Sequence, residues 1–251
     1  MHDRGSGART QALAFAVLHA ALHQAVRWGV VGQNVCDRVD KPKHRTVEKA
    51  TFTPCQLAAF LVAIRGDRLE ALWITAAALG LRSGELTGLR WVDLDGDAIK
   101  TAYQLQRIGG EYVLREHKTT RSKRTLPLPP YVAAALKAHR VRQLEERMAA
   151  GAKWANSLDL IFATPTGHPL NGSRVSHRFR QIILAAGLPD LDLHDLRRTA
   201  GSMLASLGTS APVIRDLLGH SQLSTTGRYP HSLPSEHVEA CNRLGRLLEP
   251  P

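Results

Sequence analysis

Two arginines stand in settings suited to holding an anion. Arg82 follows the glycine that ends a strongly apolar stretch, in Gly80-Leu81-Arg82-Ser83-Gly84-Glu85-Leu86, and Glu85 at i+3 is spaced to hold its guanidinium. Arg197 lies three residues after His194 in Leu193-His194-Asp195-Leu196-Arg197-Arg198-Thr199, so a helix would present an imidazole and a fixed cation on one face. That pairing suits phosphate chemistry. A third cluster, Leu218-Gly219-His220, comes shortly before Tyr229, with Thr225, Thr226 and Arg228 between them. A fourth is a basic turn at residues 117–124, where His117 is followed by Lys118, Arg121, Lys123 and Arg124. Each has a plainer reading by itself: Arg82 and Glu85 as a surface ion pair, the basic run as a solvated loop, the tyrosine as an amphipathic packing residue. Other routes to phosphate chemistry lack their signatures, since there is no G-x-x-x-x-G-K-S/T loop and no carboxylate cluster of the metal-binding type.

The elements that must position these groups are set by composition and periodicity. The 251 residues exceed a domain prior of ~150, so one large domain, or one with a fragment attached, is expected. With 43% hydrophobic residues, the chain can bury a core. Lys and Arg number 33 against 22 Asp and Glu, a net charge of +11 that points to a polyanionic partner, nucleic acid foremost. An anionic membrane surface would attract the same charge. Residues 69–81, however, contain Glu70 and fall short of the ~20 residues of a spanning helix, so no membrane crossing is expected. The polar N-terminus lacks the order of features of a signal peptide, which leads to a cytoplasmic expectation. Cys36, Cys55 and Cys241 are odd in number and widely spaced, and read as small packing residues rather than metal ligands or disulfides.

Residues 11–28 place Leu18, Leu22, Ala25 and Val26 at helical spacing, stopped by Gly29 and Gly32. Residues 40–49 carry Lys41, Lys43, Arg45 and Lys49 around Pro42 without periodicity and read as an exposed basic linker. Thr53, Pro54 and Gln56 supply an N-cap, a first-turn proline and a capping-box partner for a helix to about Ile64, followed by an apolar helix over 69–81. Between residues 98 and 128, β-favouring segments split by Gly109-Gly110 and the basic turn predict one small antiparallel sheet. Helical patterns dominate from Tyr131 onward, and Gly219 ends a helix begun near Pro212. Ser173, Arg174, His177 and Arg178 fall along one helix, as a groove-entering face or a solvated one. Val238, Cys241, Leu244 and Leu248 form a stripe on a terminal helix.

In this order the motifs resemble the catalytic domain of the tyrosine recombinases, the phage-integrase family. The likeness is carried by G-L-R-x-G-E-L at residues 80–86, K-T-x-x-S-x-R-x-x-P-L at 118–128, H-x-L-R at 194–197 and L-G-H…T-T-x-x-Y at 218–229. The resemblance implies an α+β, mainly α-helical catalytic domain with a small antiparallel sheet over residues 44–251. Residues 1–43 look like the C-terminal remnant of a helical core-binding domain and its linker. A clamp missing its front half would hold DNA weakly. The family likeness also implies a site-specific recombinase or integrase that cleaves and rejoins double-stranded DNA through a 3′-phosphotyrosine, without cofactor or metal. Tyr229 would be the nucleophile, Arg82 and Arg197 the phosphate clamp, and His194 the group managing the tyrosine proton. His220 would add a phosphate hydrogen bond, Lys118 would protonate the leaving oxygen with Lys123 as the alternative, and Glu85 would brace Arg82. Phosphate contacts are expected from Lys41, Lys43, Arg45, Arg90, Arg121, Lys123, Arg124, Arg174, Arg178 and Arg180. In relatives a terminal helix docks on a neighbouring protomer, which implies a homo-oligomer, a tetramer on DNA, joined through the C-terminal helix. A type IB topoisomerase and a non-recombining DNA-binding decoy are the alternatives.

Overall fold

The computed structural model describes residues 7–42, 50–117, 123–219 and 234–249, and the chain divides into two compact units, Met1–Lys49 and Ala50–Pro251. In the first, α1 (Ala8–Arg27) covers the expected helix, and a 3-10 turn, Val35–Arg38, folds back on it. Asn34 caps that turn by accepting from the Cys36 amide at 3.0 Å and donates to the His19 carbonyl at 3.1 Å. His19 Nε2 lies 2.8 Å from Asp37 Oδ1.

The second unit opens with α2 (Pro54–Ala63), α3 (Glu70–Leu79) and α4 (Ser83–Thr87). Strands β1 (Leu94–Asp95), β2 (Ala98–Thr101), β3 (Tyr103–Ile108), β4 (Glu111–Glu116) and β5 (Arg124–Pro127) follow. The rest is helical: α5 (Pro130–Ala150), α6 (Gly172–Ala185), α7 (Leu193–Ser206), α8 (Ala211–Leu218) and α9 (Pro234–Leu248). The capping box forms at α2 as its residues require: Thr53 Oγ1 accepts from the Gln56 amide at 3.3 Å, and Gln56 Oε1 accepts from the Thr53 amide at 2.9 Å. Helix α3 is apolar on all sides, and such a helix can be satisfied only inside a core. Every residue from Ala71 to Leu79 is buried, with α5, α7 and α9 packed around it. Phe179 of α6 links the rings of Phe60, 5.5 Å away, and Trp73, 6.0 Å away, so α2, α3 and α6 share one aromatic contact.

The strands form two sheets where one is expected. β1, β2 and β5 make an antiparallel set in the order β1-β2-β5, while β3 and β4 form a separate hairpin turning at Gly109 and Gly110. Only Ala102 separates β2 from β3, which leaves no loop for β3 to fold back onto β2; β5 returns instead and pairs Thr101 with Arg124 and Ile99 with Leu126. The segment between β4 and β5 therefore joins the two sheets, and it contains Lys118.

The stripe on α9 packs on its own unit: Ala240, Cys241, Leu244 and Leu248 are buried against the core that α3, α5 and α7 share, while Val238 stays exposed. Cys36 and Cys241 are buried as expected, but Cys55 is exposed, because the first turn of α2 faces solvent.

α3 stops at Gly80, which is left-handed at φ 56°, and a side chain there would meet Leu218 Cδ2 at 2.6 Å. Gly80→Ala should therefore lose roughly 1–2 kcal/mol from the left-handed backbone and roughly 1–3 more from overpacking, measured by urea unfolding. Gly66→Ala, also at positive φ but with open space around it, should lose only the backbone part. Equal losses at the two positions would contradict the tight junction of α3 and α8.

Candidate active site

Helix α8 ends at Gly219, left-handed at φ 64°, and leaves its last carbonyls without intrahelical donors. Three arginines from three parts of the chain take them in succession. Arg124 Nε donates to the Leu217 carbonyl at 2.8 Å, Arg197 Nη2 to that of Leu218, and Arg82 Nη2 to that of Gly219 at 2.8 Å. The negative end of a helix dipole attracts cations, so this terminus is a natural gathering point for guanidinium groups. Arg197 also donates to the Gly80 carbonyl at 2.8 Å and so ties the end of α3 to the end of α8. Gly219 allows this approach: a Cβ there would lie 2.8 Å from Arg124 Nη1.

One carboxylate answers these charges. Glu85, with 0% exposure, accepts from the Arg82 amide at 3.0 Å and from Arg82 Nη1 at 2.7 Å. Arg124 Nη2 reaches its other oxygen at 3.2 Å. Burial would raise the Glu85 carboxyl, but the charge and hydrogen bonds of Arg124, joined by those of Arg82, hold it below the usual carboxylate range. Arg197, only 3% exposed, is pushed down to about 10, first by burial and then by the neighbouring charge of Arg82. Among the described residues three guanidinium groups meet at one carboxylate here, and a bound anion would offset the remaining positive charge. The ion pair of Arg82 with Glu85 is thus the underside of a cationic site, with the Arg82 side chain 36% exposed as its open face.

His194 and Arg197 lie one turn apart on α7, as their spacing predicts; His194 is exposed, Arg197 faces inward and Arg198 outward. The described chain reaches the cluster at His117 and at Gly219, the residues that immediately precede Lys118 and His220 in sequence. His117 Nε2 lies 3.8 Å from Glu85 Oε1. Lys118, His220 and Tyr229 themselves fall outside the described residues, as do Lys43, Arg45 and Arg121. Among the described residues, no group of His, Cys, Asp and Glu could hold a metal ion.

Several of the expected phosphate contacts stand differently. Arg124 is not a surface cation, because its side chain is only 8% exposed. β5 alternates, and Arg124, Leu126 and Leu128 point inward together. The strand period was the available signal for this, masked by the surrounding charge run. Arg90 is also drawn in: it grips Asp93 at 2.7 and 2.9 Å and lies 4.3 Å over the Tyr103 ring. Lys123 pairs with Glu116, Arg178 with Asp67, and Arg180 with Asp190, each on the surface. Lys41 is exposed. On α6, Ser173, Arg174, His177 and Arg178 form an exposed face opposite buried Val175, Phe179 and Ile182. A groove of about 500 Å³ runs beside Arg174 and Arg178, with Arg107 and Tyr112 of the β3–β4 hairpin on its far wall.

The depressed carboxyl of Glu85 makes a prediction. Its stabilising contribution is complete above the ordinary value of 4.5 and is lost as pH falls through the lower folded value. Glu85→Gln should cost about 3–5 kcal/mol at neutral pH by stranding buried guanidinium groups. It should also flatten the loss of stability below the ordinary carboxylate range, as followed by denaturant unfolding across pH. An unchanged acid limb in the variant would contradict the assignment.

Comparison with known proteins places the chain in a family. A model of the phage integrase family matches residues 54–236. A tyrosine recombinase XerC-like protein of Caldanaerobacter subterraneus subsp. tengcongensis is 29% identical over 270 residues, covering 99% of this chain and 68% of its own length. The integrase of Mycobacterium phage FRAT1 is 30% identical over 240 residues, covering 93% of this chain and 69% of its own length. This chain thus spans about two thirds of the length of these relatives. Among solved structures, a Tn1549 transposon integrase in complex with a circular intermediate DNA superposes with a TM-score of 0.74 and 25% identity, over 88% of this chain and 74% of that one. The chain belongs to the phage integrase family, whose members are DNA strand-transferring enzymes.

Proposed function

We propose that this chain is a site-specific recombinase that cleaves and rejoins double-stranded DNA, with Tyr229 as nucleophile and the arginine cluster at the end of α8 as its phosphate seat. The observation that carries the reading is the unbalanced charge there: three guanidinium groups around one buried carboxylate, beside the residues that lead into Lys118 and His220. Each guanidinium has five N–H donors, and the contacts of Arg82 and Arg197 described above leave capacity for a phosphate. The bond that forms is Tyr229 Oη to phosphorus, and the bond that breaks is phosphorus to the 5′ oxygen. Arg82 and Arg197 clamp the two non-bridging oxygens as their negative charge grows. His194 takes the phenolic proton, Lys118 gives a proton to the departing oxygen, and His220 adds a hydrogen bond to the phosphate. The ester energy is kept in the phosphotyrosine, so a free 5′ hydroxyl can reverse the step without ATP.

Residues 44–251 would then be the catalytic domain, with residues 1–43 the end of a helical core-binding domain. Arg174 and its neighbours on the exposed face of α6 would meet the duplex, together with Lys41, Lys43, Arg45, Arg121 and Lys123. Exchange of both strands of two duplexes needs four cleavages, and one Tyr229 per chain implies four copies on the DNA. The C-terminal helix α9 would join these copies. Among the described residues no helix is long and apolar enough to cross a membrane, and the DNA substrate calls for a cytoplasmic site of action.

Incubation with a nicked suicide DNA substrate, followed by denaturing electrophoresis, should give a covalent protein–DNA adduct that Tyr229→Phe abolishes. An adduct persisting in that variant would place the nucleophile elsewhere. Arg82→Ala should slow adduct formation by about 10²–10³-fold, the scale of losing one donor to a transition-state oxyanion, with the fold retained. DNA affinity should fall steeply with salt, by about 0.9 in log–log slope for each phosphate contacted. Arg174→Ala should reduce that slope, and an unchanged slope would remove α6 from the interface.

A further inference from the structure

One buried titratable group beside the cluster has no part in the reaction as written. His117 is 8% exposed, its amide donates to the Ala102 carbonyl at 3.1 Å, and its Nε2 has no hydrogen-bond partner among the described residues. The ring nitrogen lies 3.8 Å from Glu85 Oε1, too far for a hydrogen bond but close enough to interact strongly if charged. Among the described residues, the charged groups facing it are Glu85 and Arg82 from α4 and its N-terminus, and Arg124 and Lys123 from the start of β5. Burial holds the imidazole below its ordinary range; Glu85 opposes this, and Arg124, Arg82 and Lys123 reinforce it. Near pH 7 the ring is therefore neutral.

We propose that His117 is a positioning residue whose neutral ring leaves the Glu85 carboxylate to Arg82 and Arg124, and whose protonation draws that carboxylate away from Arg82. The oxygen nearest the imidazole, Oε1, is the one that accepts from Arg82 Nη1 at 2.7 Å. An imidazolium N–H moving about 1 Å would reach hydrogen-bond distance of this oxygen and compete with Arg82 for it. It would also add a further positive charge to a pocket that already holds an excess. Arg82 would lose the brace that aims it at the phosphate, and His117 immediately precedes Lys118 in sequence. The inference rests on the roles proposed above for Arg82 and Lys118.

The test begins without DNA. In the ¹⁵N-labelled chain, the His117 ring and the Arg82 Nε–H are followed by NMR from about pH 8 to about pH 5, a range that spans an imidazole titration. The expected result is a His117 midpoint below that of an ordinary histidine and an Arg82 shift with the same midpoint. In His117→Gln and His117→Asn, which place an amide nitrogen near Nε2 and Nδ1 respectively, the Arg82 shift over that range should vanish. An Arg82 signal that stays still through the His117 midpoint in the wild-type chain overturns the proposal, whether or not either variant folds. So does an identical shift in a folded variant. Adduct formation on the suicide substrate supplies the second readout. Acidification from about pH 7.5 to about pH 5.5 should slow the wild type more than the glutamine variant, and equal slowing of the two would overturn the proposal. Absence of any wild-type adduct would count against the phosphotyrosine reaction, whereas an uncoupled Arg82 signal would count against His117 alone.

Discussion

A carboxylate sealed from water, with more positive charge around it than it can neutralise, is the interaction on which the rest of this structure turns. Glu85 with 0% exposure would be costly alone, and it is held ionised because Arg124 and Arg82 donate to both of its oxygens. Those same arginines, with Arg197, end on the last three carbonyls of α8. Neither the acid nor the helix end balances three guanidinium charges. In the proposed reading the remainder serves to hold a substrate phosphate.

The fold exists to bring distant parts of the chain to that point. The core helix α3 ends at Gly80, left-handed at φ 56° and packed closely against Leu218, and Arg82 follows two residues later. The return of β5 to β2 brings Arg124 in against Glu85. Helix α7 supplies Arg197 from its inward face while His194, one turn earlier, stays at the surface. Removing any one of these contacts strips a carbonyl or a carboxylate of its donor in a buried setting, so the site and the core share their stability.

Local signals made much of this legible in sequence. Thr53 and Gln56 form the capping box their spacing predicts, and the all-apolar stretch becomes the central helix. Gly219 ends α8 as expected, and Arg197, the arginine that the motif order singles out, is buried while Arg198 is exposed. What sequence missed depends on tertiary context. A charge run reads as solvent-facing, so Arg124 was placed on the surface although its alternation with Leu126 and Leu128 pointed inward. Strand-forming segments do not state their partners, and one sheet was expected where pairing of β5 with β2 makes two. The α9 stripe is equally apolar for a neighbour or for its own core, and only packing decides. His117 carried no signal apart from its place in a basic turn, since its burial comes from Glu85 and Ala102, distant in sequence or across a strand.

The central claim is that the excess charge at the end of α8 is an anion seat, and the rise in melting temperature with inorganic phosphate at constant ionic strength tests it most directly, since a ligand bound only to the folded state stabilises it. The account predicts that the wild type and Arg174→Ala are stabilised alike, while Arg82→Ala gains little. A phosphate-dependent rise as large in Arg82→Ala as in the wild type would contradict it.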